Sequence, residues 1–262
     1  MKKSLILLLF AFPLLAIAQT DLEKLANSPR HQEWVEITYN GRTVHTFVVY
    51  PEVADKAKVV MVIHENRGLN DWARVFADEI AEQGFIAIAP DLLSETSETI
   101  KKTSDFENSD AAREALYALT PEQITADLDA TFAYAKTIAA GNGKVSVVGF
   151  CWGGSQCFNY ATSNPNLEEA IVFYGTAPQE EDVFKKIETP VYGFYGGNDA
   201  RVNATIEKTE QLMNSSGKTY DFKIYEGGGH GYMRSGSQAD AEEVNSTARK
   251  NSWERLLSIL KK

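Results

Sequence analysis

Residues 144–154 read Lys-Val-Ser-Val-Val-Gly-Phe-Cys-Trp-Gly-Gly. The apolar run at 145–148 has the length and composition of a buried strand, and it leads directly into Gly149-Phe150-Cys151-Trp152-Gly153. Phe158 and Ala161 then fall on one face of a following helix. Glycines two residues before and two after a nucleophilic side chain mark a sharp strand-to-helix elbow, here with Cys151 in place of serine. The turn forces its central residue into a strained conformation, and the glycines let the helix and the neighbouring strands approach it. Cys151 is thereby lifted to the carboxyl end of a sheet and set beside a helix N-terminus, whose dipole favours a thiolate. A small apolar cysteine filling a tight turn is the competing reading, and the residues around the elbow decide between the two.

A nucleophile on such an elbow needs a base and an orienting acid, arriving downstream in the order nucleophile, acid, histidine. Asp199 follows the apolar run 191–195 and Gly196-Gly197-Asn198, a strand-end loop position. His230 follows the strand pattern 220–225 and Gly227-Gly228-Gly229, and it is the only histidine in the second half of the chain. Upstream, the strand pattern 59–63 runs into His64-Glu65-Asn66-Arg67-Gly68. A loop in this place supplies one oxyanion-stabilising N–H and the residue after the nucleophile supplies the other, which assigns those roles to the backbones of Asn66 and Trp152. Glu65 reads as an activating carboxylate or as a solvated loop acid, and His64 as a packed, hydrogen-bonded histidine. The spacing is not His-Glu-x-x-His, so no metal is expected.

The rest of the chain sets this machinery in an α/β frame. Residues 35–39 and 43–49 alternate apolar and polar around Asn40-Gly41, the signature of a tight antiparallel hairpin. Beyond it the pattern is strand, helix, strand: 59–63, then Trp72, Phe76 and Ile80 at helical spacing, then 85–89. Polar residues 94–110 read as a surface excursion that forms part of a pocket rim. A helical pattern resumes near Ala111, and Pro121 suits the first position of the next helix. Further strands are expected at 170–173, 191–195 and 220–225, a helix over 202–216, and a C-terminal helix with Trp253, Leu256, Leu257 and Leu260 as its apolar stripe. The expected architecture is a mostly parallel, doubly wound sheet with an N-terminal antiparallel hairpin, in one domain over residues 19–262.

Composition narrows the function. The chain has 262 residues, 44% hydrophobic, with 36 acidic against 26 basic side chains and a net charge of -10. That balance excludes disorder and a fibrous repeat, and the acidic field repels nucleic acid. Lys2 and Lys3 precede an apolar run at 5–15 that ends in Ala16-Ile17-Ala18, the form of a signal peptide cleaved after Ala18. The run is shorter than the ~20 residues of a spanning helix, so an exported, periplasmic or secreted protein without a membrane anchor is expected. Cys151 and Cys157, six residues apart, point about 120° away from each other on one helix, so no disulfide is expected between them. No dinucleotide-binding glycine motif follows the first strand, and no cofactor is expected. The assembly expected is a monomer or small homo-oligomer.

Taken together, Glu65, Pro90-Asp91-Leu92, Gly149 to Gly154, Asp199, and Gly229-His230 with Arg234 four residues on resemble the dienelactone hydrolase family of α/β hydrolases. The resemblance runs from about Trp34 to the C-terminus. It is nearest to an exported branch in which residues 64–69 read His-Glu-Asn-Arg-Gly-Leu and Asp199-x-Arg201-x-Asn203 follows. It implies the α/β-hydrolase fold, a Cys151-His230-Asp199 triad with Glu65 engaging the resting thiol, hydrolysis through an acyl-enzyme, and Arg234 and Arg201 as substrate-binding residues. Two departures bear on substrate: Ser94-Glu95 stands where members acting on dienelactone carry an arginine, and Gly231 where they carry serine. Dienelactone itself is therefore not expected. A thiolate leaves more readily than an alkyl amine, so a small ester, lactone or thioester is expected in preference to an amide. The alternative is a non-catalytic small-molecule binding protein on the same scaffold. A thiol redox role lacks both a Cys-x-x-Cys motif and a resolving cysteine.

Overall fold

The computed structural model describes residues 19–262; the expected signal segment lies outside the described residues. A short capped helix, α1 (Asp21–Ala26), precedes the hairpin β1 (Gln32–Tyr39) and β2 (Arg42–Val49). Its two-residue turn places both Asn40 (φ 45°) and Gly41 (φ 80°) in the left-handed region, the geometry that matches the twist of paired strands. Next come β3 (Ala57–Ile63), α2 (Asp71–Glu82), β4 (Ile86–Pro90), α3 (Ser109–Tyr117) and α4 (Pro121–Thr137). The elbow joins β5 (Gly141–Phe150) to α5 (Trp152–Ala161), followed by β6 (Ala170–Phe173) and β7 (Val191–Gly196). The chain ends with α6 (Ala200–Asn203), α7 (Ile206–Ser215), β8 (Tyr220–Tyr225), α8 (Tyr232–Ser235) and α9 (Glu243–Leu260).

All eight strands form one sheet in the order β1-β2-β4-β3-β5-β6-β7-β8. β1, β2 and β4 pair antiparallel, and from β4 through β8 every pairing is parallel. Every residue of β3, β4 and β6 is buried, which is why these segments read as apolar runs interrupted only by Lys58, whose ammonium pairs with Glu169 at 3.1 Å: both faces of the sheet are covered. One face packs α2 and α9, with Phe76 stacked on Trp253 at 5.0 Å and edge-on to Phe150 at 4.6 Å. The other face packs α4, α5 and α7 through Leu128, Phe158 and Met213. The mostly parallel sheet with its antiparallel start is the architecture expected.

One local reading is corrected, and two features add to the pattern. The helix expected over 202–216 is two, α6 and α7, because Ala204 and Thr205 turn the chain between them; Asp199 caps the first by accepting from the Val202 N–H at 3.3 Å. The excursion 94–110 lines a cavity, as expected of a rim, and is anchored at its start. Ser94 is buried, and the Asp91 carboxylate accepts from the Thr103 N–H (2.6 Å) and hydroxyl (2.7 Å). Helix α1 and the short α8 have no apolar periodicity long enough to read, and α1 is visible only in its capping box, Thr20 with Glu23.

A buried polar cluster ties the hairpin to α4. Asp127, fully buried, accepts from Arg42 Nε and Nη2 (2.7 and 2.8 Å), Tyr39 (2.6 Å) and Gln123 (3.0 Å). Burial and this carboxylate push the Tyr39 phenol up to about 12.

Candidate active site

The parallel strands present their carboxyl ends on one edge, where open α/β sheets bind ligands. β3 ends in His64 and Glu65, β5 in Cys151 and β6 in Tyr174, while Asp199 and His230 lie in the loops after β7 and β8.

Cys151 sits at φ 55°, ψ -115°, a conformation costing on the order of 1–3 kcal/mol for a residue with a Cβ. Its N–H donates to the Phe173 carbonyl (3.0 Å), which holds the turn against β6. The elbow glycines are required by contact. A Cβ on Gly153 would lie 2.2 Å from the His64 carbonyl oxygen, and one on Gly149 would lie 2.1 Å from that of Gly153. The turn is therefore compressed between β3 and its own helix, and Cys151 is left partly accessible at the apex.

Cys151, His230 and Asp199 form one chain of contacts. The Asp199 carboxylate, buried, accepts from His230 Nδ1 at 2.5 Å, which leaves Nε2 to accept from Cys151 Sγ at 3.0 Å. Tyr174, buried and at φ 39°, sets its ring edge-on to the imidazole at 5.1 Å.

Glu65 is buried, but its partners differ from those the resemblance implies. Its Oε2 accepts from Arg234 Nε at 2.8 Å and its Oε1 from the Tyr174 hydroxyl at 3.4 Å, while the resting thiol bonds to His230. The expected thiolate is also corrected. Burial first, and the Glu65 charge second, push the Cys151 thiol up to about 11. The Trp152 N–H and the Arg201 guanidinium pull the other way without overcoming them. The helix dipole is one favourable effect among these, and desolvation outweighs it.

His64 is the packed residue expected. Nδ1 donates to the Glu65 carbonyl (2.8 Å), Nε2 accepts from the Leu92 N–H (3.3 Å), and the ring stacks on Trp152 at 5.8 Å. Burial lowers its pKa, opposed by Asp91. Cys157 is fully buried and points to the Ile171 carbonyl (3.3 Å), so both cysteines are free thiols.

A cavity of about 800 Å³ opens over Cys151. Of the expected site residues it brings together Glu65, Asn66, Trp152, Arg201, His230 and Arg234 around Cys151, with Asp199 buried behind His230. Arg67 and Arg113 join Arg201 and Arg234, so four arginines line the cavity of a chain whose net charge is -10. Sequence reasoning missed Tyr174, Arg113 and Tyr117. Tyr174 is legible as the residue after an apolar strand. Arg113 and Tyr117 are one helical turn apart on α3, but only the placement of α3, held by Arg67 Nη1 donating to Ser109 Oγ at 2.7 Å, turns that face into the site. Ser94 and Glu95 have other partners, Ser94 Oγ accepting from the His45 N–H (2.8 Å) and Glu95 bonding the His45 ring (3.1 Å). Among the described residues, no group of three or more His, Cys, Asp or Glu side chains is arranged to hold a metal, and no helix is long and apolar enough to cross a membrane.

The model of the dienelactone hydrolase family matches residues 44–262. The chain is 28% identical to a Saccharolobus solfataricus protein named "Putative carboxymethylenebutenolidase", over 87% of this chain and 98% of that one. It is 27% identical to a Methylorubrum extorquens protein of the same name, over 82% of this chain and 76% of that one. A Klebsiella pneumoniae crystal structure, of a "Putative Dienelactone Hydrolase", shares the fold with a TM-score of 0.77 at 23% identity, covering 89% of this chain and 99% of that one. With the family model spanning most of its length and the elbow seated at the carboxyl edge of the expected sheet, the chain belongs to the dienelactone hydrolase family and is a hydrolase of the α/β-hydrolase fold.

Proposed function

We propose that the protein hydrolyses a small ester, lactone or thioester through a Cys151-His230-Asp199 triad and an acyl-enzyme. The observation that carries this reading is the unbroken contact from Cys151 Sγ to His230 Nε2 (3.0 Å) and from Nδ1 to Asp199 (2.5 Å) at the mouth of a cavity.

Because burial holds the sulfur as a thiol, proton transfer to His230 accompanies attack on the carbonyl carbon. The C–S bond forms as the carbonyl electron pair moves to oxygen, and the backbone N–H groups of Asn66 and Trp152 receive that oxyanion. Collapse expels the leaving group, which takes the proton from His230 Nε2. His230 then removes a proton from water, hydroxide adds to the thioester, and release of the acid restores the thiol. Asp199 fixes the tautomer throughout.

Arg201 and Arg234 are assigned to an anionic substituent of the substrate. Arg201 has its charge directed at the sulfur's surroundings, and Arg234 is held by Glu65 at the cavity wall. The relatives' name describes an unsaturated lactone bearing a carboxymethylene group, a substrate class consistent with a cavity rimmed by arginines. Ser94 and Glu95, where dienelactone-cleaving members carry an arginine, are occupied by His45 and Asp91, which argues against dienelactone itself. The chain is further proposed to be exported, with residues 1–18 removed as a signal peptide and 19–262 forming one domain; N-terminal sequencing of protein recovered outside the cytoplasm tests this.

The deciding experiment measures hydrolysis of an aryl ester, an acyl thioester and an unsaturated lactone by the reduced protein, beside Cys151→Ala and His230→Ala. Turnover lost in both variants supports the triad. Turnover that persists in Cys151→Ala refutes it.

A further inference from the structure

A second cavity, of about 610 Å³, adjoins the first. Arg67, Asn70 and Arg234 line both, so these three side chains stand at the waist between the two. The walls differ in character. The second chamber is faced by Trp34, Trp72 and Phe106, and Trp34 is among the few large apolar side chains left exposed on this protein, at 38%. Its floor and rim come from the anchored segment after β4, including Lys102 and Thr103.

The charges of this chamber are asymmetrically satisfied. Its acids already have partners: Asp21 binds Lys24 at 2.9 Å, Asp71 binds Arg74, and Asp91 is bonded to Thr103. Lys102 forms no ion pair among the described residues, although its charge acts on Asp105, which accepts from the Lys102 N–H at 3.0 Å; its Nζ lies 4.7 Å from the centre of the Trp34 ring, which Arg74 also approaches at 5.9 Å. Arg67 bonds the neutral Ser109 hydroxyl, with Asp110 at 3.9 Å. A flat aromatic wall beside an ammonium that forms no ion pair suits a flat ligand ending in an anion, because the ring stacks while the anion replaces water around the cation.

We propose that the second chamber is the leaving-group subsite, and that it takes an aryl group carrying a carboxylate, with the ring against Trp34 and Phe106 and the carboxylate at Lys102. The inference rests on the hydrolase reading given above. The leaving-group side is part of the proposal: His230, which protonates the leaving atom, lines the first cavity, and Arg234 of the following helix α8 lines both. Trp34 and Lys102 are then specificity-determining residues contributed by the hairpin and by the segment after β4.

Two measurements test it. Phenyl acetate and 4-acetoxycinnamate give the same acetyl-enzyme, so a leaving-group subsite acts on acylation alone. The ratio of their kcat/KM values, charged ester over neutral, should fall at least fivefold in Lys102→Gln, whereas Trp34→Ala should lower both values because both esters carry the ring, with deacylation of the common intermediate unaffected in either variant. Separately, calorimetry of 4-hydroxycinnamate, which needs no turnover, should show a Kd raised at least fivefold by either substitution and unmoved by Lys250→Gln, a remote loss of the same charge. A ratio unchanged in Lys102→Gln, or weakening by Lys250→Gln as large as by Lys102→Gln, would overturn the subsite. Lys102-dependent binding together with full turnover in Cys151→Ala would instead sink the nucleophile assignment and, with it, the leaving-group role. Loss of turnover in Cys151→Ala with binding indifferent to Lys102 would remove the subsite and leave the triad standing.

Discussion

Arg234 Nε lies 2.8 Å from Glu65 Oε2, a pair formed across 169 residues of chain between the loop after β3 and helix α8. The pair occupies the wall of the cavity into which the Cys151 thiol opens, and the carboxylate acts on the sulfur through space. Glu65 and Arg201 therefore set opposite electrostatic pressures on one thiol.

The alkylation rate of Cys151 by iodoacetamide, followed against pH, should rise with a midpoint at about 11 in the wild type. A neighbouring negative charge disfavours the thiolate, so Glu65→Gln should move the midpoint to lower pH. Arg201→Gln removes a charge that favours the thiolate and should move it higher. Cys157, fully buried, should not contribute to the labelling of the folded protein. Mass spectrometry of the alkylated peptides separates the two cysteines.

Asp199→Asn keeps the size of the side chain but offers an amide to His230 Nδ1, and the imidazole can then take the tautomer with its proton on Nε2. In that tautomer it cannot accept from Cys151. Turnover of a reactive ester should fall on the order of 10⁴-fold, as it does when the acid of a related triad is changed in this way. A loss of less than tenfold would show that Asp199 does not orient the base.

Gly153→Ala tests the elbow as a packing problem. The added Cβ would lie 2.2 Å from the His64 carbonyl oxygen and 2.6 Å from that of Ile63, both backbone atoms of the central strand and its end. Neither can swing aside as a side chain would. Urea denaturation should show a loss of about 3 kcal/mol, the upper part of the ordinary cost of overpacking, and turnover should fall with it because the turn that presents Cys151 is displaced.

Arg42→Ala leaves Asp127 buried without its cation. Loss of one partner from a buried pair costs about 3–5 kcal/mol, measurable from the same denaturation curves. The double substitution Arg42→Met with Asp127→Leu removes the uncompensated charge and should recover most of that loss. Turnover at the distant active site should survive in the double variant.

The local pattern alone located the strands and the longer helices, the elbow, and the chain order of Cys151, Asp199 and His230. Those features depend on neighbours in sequence: a fully covered strand must be apolar throughout, a two-residue hairpin turn calls for Asn40-Gly41, and a compressed strand-to-helix turn calls for Gly149 and Gly153. What Cys151 does at rest was decided by the tertiary structure. Its desolvation, the placing of Glu65 beside Arg234 rather than on the thiol, and the distance to His230 all depend on where five strand ends meet, and desolvation together with Glu65 outweighs the local helix dipole. Arg113 and Tyr117 are ordinary surface residues of α3 until Arg67 holds that helix against the site. The chamber behind Arg234 is likewise tertiary, since Trp34, Phe106 and Lys102 belong to separate segments that share no periodicity. Short-range sterics write themselves into neighbouring residues, whereas burial and through-space charge arise only from the folded arrangement.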